Sequence, residues 1–313
     1  MAISKKNLNF ISIFGEEAGQ SWSFDFLQVY SPKRFFKMAQ FIQTNQIQLH
    51  YLDFEGDAPT LILMHGLTAN AHAFDGLIEA GLSPRFRVIS IDLRGRGLSD
   101  QPAQGYTMAD HARDILGLLD GLGIEKAVIG GHSFGALLTL YLAIHYPARV
   151  EKMVLLDAAA QMHPNTREML APSLSRLGQT YPSFDAYLDK VKQAPYLDFW
   201  DDAMLSYYHA DVEMLEDGQV KPRPRPENIF EAVNAVLGEP WVDYLKTVHQ
   251  PAILVNATGV YSLGAPLLPK ELAIETVEMM PNCQYAEVVG NHQTMLYGTG
   301  AEEIVAAIMD FLA

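Results

Sequence analysis

The chain has 313 residues, 49% of them hydrophobic and 19% charged, a balance that supplies a sizeable core and excludes intrinsic disorder. At about 150 residues per domain, that length allows two domains or one enlarged α/β domain carrying an insertion. Twenty-two basic against 37 acidic side chains leave a formal charge of −15, which repels phosphate backbones and anionic lipid, so neither nucleic acid nor a membrane is an expected partner; the lone cysteine, Cys283, excludes an intramolecular disulfide framework and a cysteine-rich zinc site.

Lys5 and Lys6 ahead of the apolar stretch 8–14 have the outline of a secretion signal. Asn9 and Ser12 interrupt that stretch and no small-residue cleavage site follows, so a cytoplasmic location is expected. Residues 1–41 form an N-terminal extension rich in aromatics, among them Trp22, Phe24, Phe26, Tyr30, Phe35 and Phe36. Left exposed, such a segment is an association liability, so it is expected to pack on the body or the insert, or to join two copies in a homodimer. Next, Ile42–Thr44 and Ile47–Phe54 flank Asn45-Gln46 and predict an antiparallel hairpin at a sheet edge.

From there strand and helix alternate. Short β-branched or Leu-rich runs at Thr60–Met64, Arg87–Ile91, Ala127–Ile129 and Lys152–Leu156, and later at Ala252–Val255 and Tyr285–Val289, read as strands buried on both faces. Helical patterns lie at Met108–Leu122 and at Ala136–Tyr146, the latter stopping before Pro147. The expected class is α/β, a mostly parallel doubly wound sheet. Between 163 and 250 the alternation gives way to aromatic-rich helical patterns and then resumes, which describes one sheet (42–162 and 251–313) interrupted by a mainly helical cap. Inside that block Met214–Val220 contains an Asp-Gly turn and predicts a small hairpin, and the run from Lys221 to Pro226 reads as a stiff connector.

The chemistry concentrates in a few places. Gly131-His132-Ser133-Phe134-Gly135 stands between a strand and a helix, the context a nucleophile elbow requires: small neighbours let the backbone turn tightly, and the helix start leaves a free N–H beside the hydroxyl. His65-Gly66-Leu67 follows the strand Thr60–Met64 and supplies the other half of an oxyanion hole, the expected donors being the backbone N–H groups of Leu67 and Phe134. His65, placed before the glycine, is expected to shape the loop, and His132 to point away from the sheet top; with Gly66, both border the expected substrate site. Trp200, Tyr208 and His209 are the residues of the insert expected to line it, although aromatics at helical spacing read equally well as the insert's own core.

These motifs, with Asp92–Ser99 after the fourth predicted strand and a late Gly290-Asn291-His292, fall in an order that resembles capped α/β-hydrolase-fold proteins over residues 42–313. The resemblance implies a structural turn at Asp92 and makes His292 the general base. It also exposes a departure: after Ala252–Val255, where many relatives place the acid, the chain reads Asn256 and offers no carboxylate until Glu271. Asp157 ends an earlier strand, as the acid does in some capped relatives, and is the expected partner of His292. Ser133 in place of a nucleophilic aspartate argues against haloalkane dehalogenase and epoxide hydrolase chemistry. The expected function is hydrolysis of a carboxylic ester or lactone of a small, largely apolar substrate through an acyl-enzyme. Carbon–carbon bond hydrolysis, cofactor-free perhydrolysis and a non-catalytic small-ligand receptor on the same fold stay open, and no cofactor or metal is expected.

Overall fold

A computed structural model describes residues 37–313. The N-terminal extension, with its expected packing or dimer contact, lies outside the described residues apart from its last few positions. Those belong to β1 (Lys37–Thr44), which pairs antiparallel with β2 (Ile47–Phe54) across the predicted Asn45-Gln46 turn. Both turn residues have positive φ, 39° and 65°, the combination that matches hairpin twist.

The sheet has eight strands in the order β1-β2-β4-β3-β5-β6-β9-β10, with β3 at Thr60–Met64, β4 at Arg87–Ile91, β5 at Ala127–His132, β6 at Val150–Leu156, β9 at Ala252–Ala257 and β10 at Cys283–Val288. The hairpin and its pairing to β4 are antiparallel; every other pairing is parallel. The uninterrupted apolar strands are explained by burial on both sides. Ile62, Met64, Ile89 and Leu254 enter one buried cluster, while their neighbours Leu61, Leu63, Val88 and Ile253 enter another on the opposite face.

Short helices α1 (Asp75–Glu79) and α2 (Leu82–Arg85) follow β3, α3 (Met108–Gly121) follows β4 and α4 (Phe134–His145) follows β5. Thr107 and Asp110 form a capping box at the start of α3. The first predicted strand of the elbow was three residues long; observed β5 runs on through Gly130, Gly131 and His132, because pairing to β6 carries it past the apolar run.

Between β6 and β9 the chain forms α5 (Thr166–Met169), α6 (Ala171–Leu174), α7 (Phe184–Val191), α8 (Asp202–Asp211), a two-stranded hairpin of β7 (Val212–Met214) and β8 (Val220–Pro222), α9 (Pro226–Leu237) and α10 (Trp241–Leu245). Asp217-Gly218 makes the hairpin turn, with Gly218 at φ 83°. The Pro-rich run divides between β8 and the first turn of α9, where Pro226 needs no N–H partner. The chain closes with α11 (Lys270–Met279) before β10 and α12 (Gly298–Leu312) after it. Among the described residues no helix is long and apolar enough to cross a membrane.

Candidate active site

Ser133 stands between the end of β5 and the start of α4 with φ 55° and ψ −117°, a conformation non-glycine residues rarely hold unless the surroundings enforce it. Its N–H donates to Leu156 O of β6 at 2.9 Å, and its carbonyl accepts from Ala136 N–H and Leu137 N–H in the first turn of α4. The flanking glycines are obligatory. A Cβ on Gly135 would sit 1.9 Å from the Met64 carbonyl oxygen, and one on Gly131 would sit 2.3 Å from the backbone of Gly135. Phe134 is the first residue of α4, so its N–H lies before the first intrahelical bond.

The opposite wall is the loop after β3. Gly66 O accepts from Ala69 N–H at 3.1 Å and from His65 Nδ1 at 2.7 Å. Because a trans peptide points its N–H away from its carbonyl, these two bonds turn the Leu67 N–H to the other side. His65 Nε2 accepts from Leu93 N–H at 3.1 Å, which requires the proton on Nδ1, and burial pushes the ring down to about 4, so it stays neutral. The next carbonyls are held as well: Leu67 O by Arg96 Nε at 2.9 Å and Thr68 O by Arg176 Nη2 at 3.0 Å.

His292 follows β10. Its Nδ1 lies 2.7 Å from Asp157 Oδ2, with both residues buried. Asp157 directly follows β6 at φ 52°, and its other oxygen accepts from Asn256 Nδ2 at 2.8 Å and Ala257 N–H at 2.9 Å. Asn256 therefore occupies the place after Ala252–Val255 where an acid was sought, near the end of β9, and serves the carboxylate one strand over. Tyr285 Oη donates to Asn256 Oδ1 at 3.1 Å, and Asn256 Nδ2 also donates to Leu268 O at 3.1 Å, which sets the amide's orientation. On the far side of the imidazole, His132 Nε2 donates to the His292 carbonyl at 2.7 Å and the two rings lie 4.5 Å apart. Burial drives His132 well below its ordinary range, so this ring is neutral as well. Tyr261 meets His292 edge-on at 5.4 Å.

Ser133, His292, His132, Gly66 and Leu67 line one cavity of about 60 Å³, room for about five water-sized groups. From the insert, Arg176, Tyr196, Tyr207 and Tyr208 contribute to its lining. Several sequence expectations are corrected here. His132 does not point away from the sheet top but lines the cavity, because β5 extends far enough to turn its ring toward His292. His65 lies behind the wall, occupied by Gly66 O and Leu93 N–H. Trp200 stacks on Tyr208 from outside, with Lys192 over its ring, and His209 stacks on Phe184; neither lines the cavity. Tyr208 does. Arg176 carried no signal in the sequence, being a lone cation in a polar stretch, and Tyr196 and Tyr207 could not be told from core aromatics.

Asp92 is buried and accepts from His50 Nδ1 at 2.7 Å, Ala71 N–H at 2.6 Å and Leu98 N–H at 2.8 Å. Burial pushes this carboxyl up, but the bonds from His50 and Leu98 outweigh it and hold it below the usual range. Its role is to tie together the loop after β4.

A family model described as alpha/beta hydrolase fold matches residues 59–205. A 2-(acetamidomethylene)succinate hydrolase from Mesorhizobium japonicum is 35% identical over 137 residues, which span 43% of this chain and 49%, about half, of that relative. The crystal structure of an E-2-(acetamidomethylene)succinate hydrolase superposes with TM-score 0.77 at 24% identity, covering 88% of this chain and 99% of that one. The enol-lactonase of Burkholderia xenovorans superposes with TM-score 0.66 at 23% identity, covering 87% and 99%. The strand order, the elbow and these likenesses together give the chain the α/β-hydrolase fold.

Proposed function

We propose that the protein is a serine hydrolase that cleaves a small carboxylic ester or lactone through an acyl-enzyme. The observation that carries this reading is that His292, paired to the buried Asp157 at 2.7 Å, lines the same cavity as a strained Ser133. Asp157 accepts the Nδ1 proton of His292 and leaves Nε2 as the base. His292 takes the Ser133 proton as Oγ attacks the scissile carbonyl, and the Leu67 and Phe134 N–H groups receive the oxyanion. The tetrahedral intermediate collapses, His292 returns the proton to the departing alkoxide, and the acyl group stays on Ser133. Water then attacks the acyl-enzyme, giving its proton to His292; collapse releases the acid and restores the serine hydroxyl. In a lactone the alkoxide remains tethered and one hydroxy acid leaves. No step calls for a cofactor.

In this reading the insert is a cap over Ser133, and the cavity's size favours a short acyl group. A panel of 4-nitrophenyl esters of graded chain length and several lactones, run on wild type and Ser133→Ala, tests it. Turnover with a burst of nitrophenol that vanishes in Ser133→Ala is the expected result. Ligand binding unaffected by that substitution, with no turnover of any acyl substrate, would replace the enzyme with a receptor; cleavage of a diketone but no ester would move the reaction to carbon–carbon bonds.

A further inference from the structure

Tyr196, Tyr207 and Tyr208 each line the cavity and are only 5%, 5% and 3% exposed. The hydrogen bonds that Tyr196 and Tyr207 make run to their backbone carbonyls, from Asn291 Nδ2 and Asn70 Nδ2. None of the three hydroxyls has a partner among the described residues. Two other buried phenols are paired: Tyr187 Oη donates to Asp211 and Tyr106 Oη donates to Pro102 O. Tyr297 is a further buried phenol without a partner, but it does not line the cavity. Three unpaired donors converging on one small space facing Ser133 is a costly arrangement unless something in that space accepts from them.

Of the other polar side chains of the wall, Gln293 makes no side-chain hydrogen bond among the described residues, whereas Arg176 is fully committed. Arg176 uses all five of its N–H groups, on Asp211 Oδ1 and Oδ2, Thr68 O, Thr68 Oγ1 and Ser173 O. Its charge is matched by Asp211, so it adds little direct recognition. No aspartate or glutamate lines the cavity, so nothing there repels an oxygen acceptor. Burial raises all three phenols above their ordinary value, which keeps them protonated as donors.

We propose that the substrate carries a second oxygen acceptor group, a carbonyl or carboxylate, close to the scissile carbonyl, and that the hydroxyls of Tyr196, Tyr207 and Tyr208 hold it. This deepens the acyl-hydrolase reading, rests on it, and replaces the largely apolar substrate expected from the sequence.

Three 4-nitrophenyl esters of matched shape test the idea: the 4-methylpentanoate (apolar), the 4-oxopentanoate (neutral acceptor) and the hemisuccinate (anionic acceptor), each corrected for its spontaneous rate. At about fivefold per hydrogen bond, at least one acceptor ester is expected to exceed the apolar one in kcat/KM by at least tenfold. Each of Tyr196→Phe, Tyr207→Phe and Tyr208→Phe is expected to shrink that ratio two- to tenfold, with melting temperature as the control for folding. Which ester wins separates a carbonyl from a carboxylate. In parallel, calorimetry on Ser133→Ala measures binding of the corresponding methyl esters, and the same preference and sensitivity to the phenol variants are expected. An apolar ester turned over and bound as well as the acceptor esters, or a ratio unmoved by all three variants, overturns the proposal. Turnover through Ser133 without acceptor preference sinks this inference alone. Acceptor-selective binding with no turnover of any ester sinks the acyl-hydrolase reading and leaves the phenol site standing.

Discussion

Asp157→Asn isolates the carboxylate with almost no change of shape. In the native site one oxygen faces His292 Nδ1, while the other faces two donors, Asn256 Nδ2 and Ala257 N–H. An amide must choose. With its NH2 toward Asn256 and Ala257, donors would confront donors in a buried site, so the amide oxygen takes that side and the NH2 faces His292. The imidazole then accepts at Nδ1 and carries its proton on Nε2, the wrong tautomer for taking a proton from Ser133. Asn256 cannot relieve this by rotating, since Tyr285 Oη and Leu268 O hold its own amide. The same exchange in a Ser-His-Asp site elsewhere costs on the order of 10⁴ in turnover, which is about 5 kcal/mol of transition-state stabilisation at 1.36 kcal/mol per decade. Steady-state kinetics on the best nitrophenyl ester, with a thermal melt beside them, measure it. A fall of at least 10³ in kcat, with KM within a few-fold and the melt little changed, is expected. A folded Asp157→Asn enzyme with near-native kcat would refute the assignment and the tautomer argument together.

Three further outcomes follow from the packing. Gly135→Ala drives a methyl into the Met64 carbonyl, 1.9 Å away and part of a central strand, so overpacking costs about 3 kcal/mol or more; a melting temperature within a degree of wild type would contradict it. Burial lowers His65 from 6.5 to about 4, and the unfolded chain takes up a proton in that interval that the folded chain refuses. Stability is then full above pH 6.5 and falls as pH drops toward 4, by roughly 2 kcal/mol from His65 between pH 6.5 and 5. His111 and His132, lowered in the same direction, add to the loss. Urea midpoints that stay level from pH 7 to 5 would count against neutral buried rings. Arg176→Ala leaves the buried Asp211 with only the Tyr187 hydroxyl and frees Thr68, costing about 3–5 kcal/mol. Adding Asp211→Ala should recover part of that loss; an additive double variant would show that the pair is not coupled.

Much of this architecture was legible because apolar runs and punctuation repeat at every strand. The parallel sheet follows from runs such as Thr60–Met64, whose alternate residues enter opposite core clusters. The elbow was visible because only glycine fits at 131 and 135. Asp157 was found by subtraction: Asn256 stood where an acid was sought, and the structure gives that asparagine a partner in Asp157 itself. The insert was the opaque part. Aromatics at helical spacing say nothing of which side of α8 faces the cavity, so Tyr207 reads equally as roof or core, while Trp200 and His209, expected to line the site, stack on other rings and do not line the cavity. Arg176 and the turn of His132 toward His292 depend on contacts across more than a hundred residues, which no local pattern carries.

The central claim is that Ser133 becomes acylated. Rapid-quench intact-mass spectrometry with a slowly deacylating nitrophenyl ester, followed by peptide mapping, tests it most directly. A single adduct of the acyl mass on the peptide containing Ser133, formed in the burst phase and absent from Ser133→Ala, is the predicted result. Ester turnover that continues in Ser133→Ala, or an adduct mapped to another residue, would contradict the account.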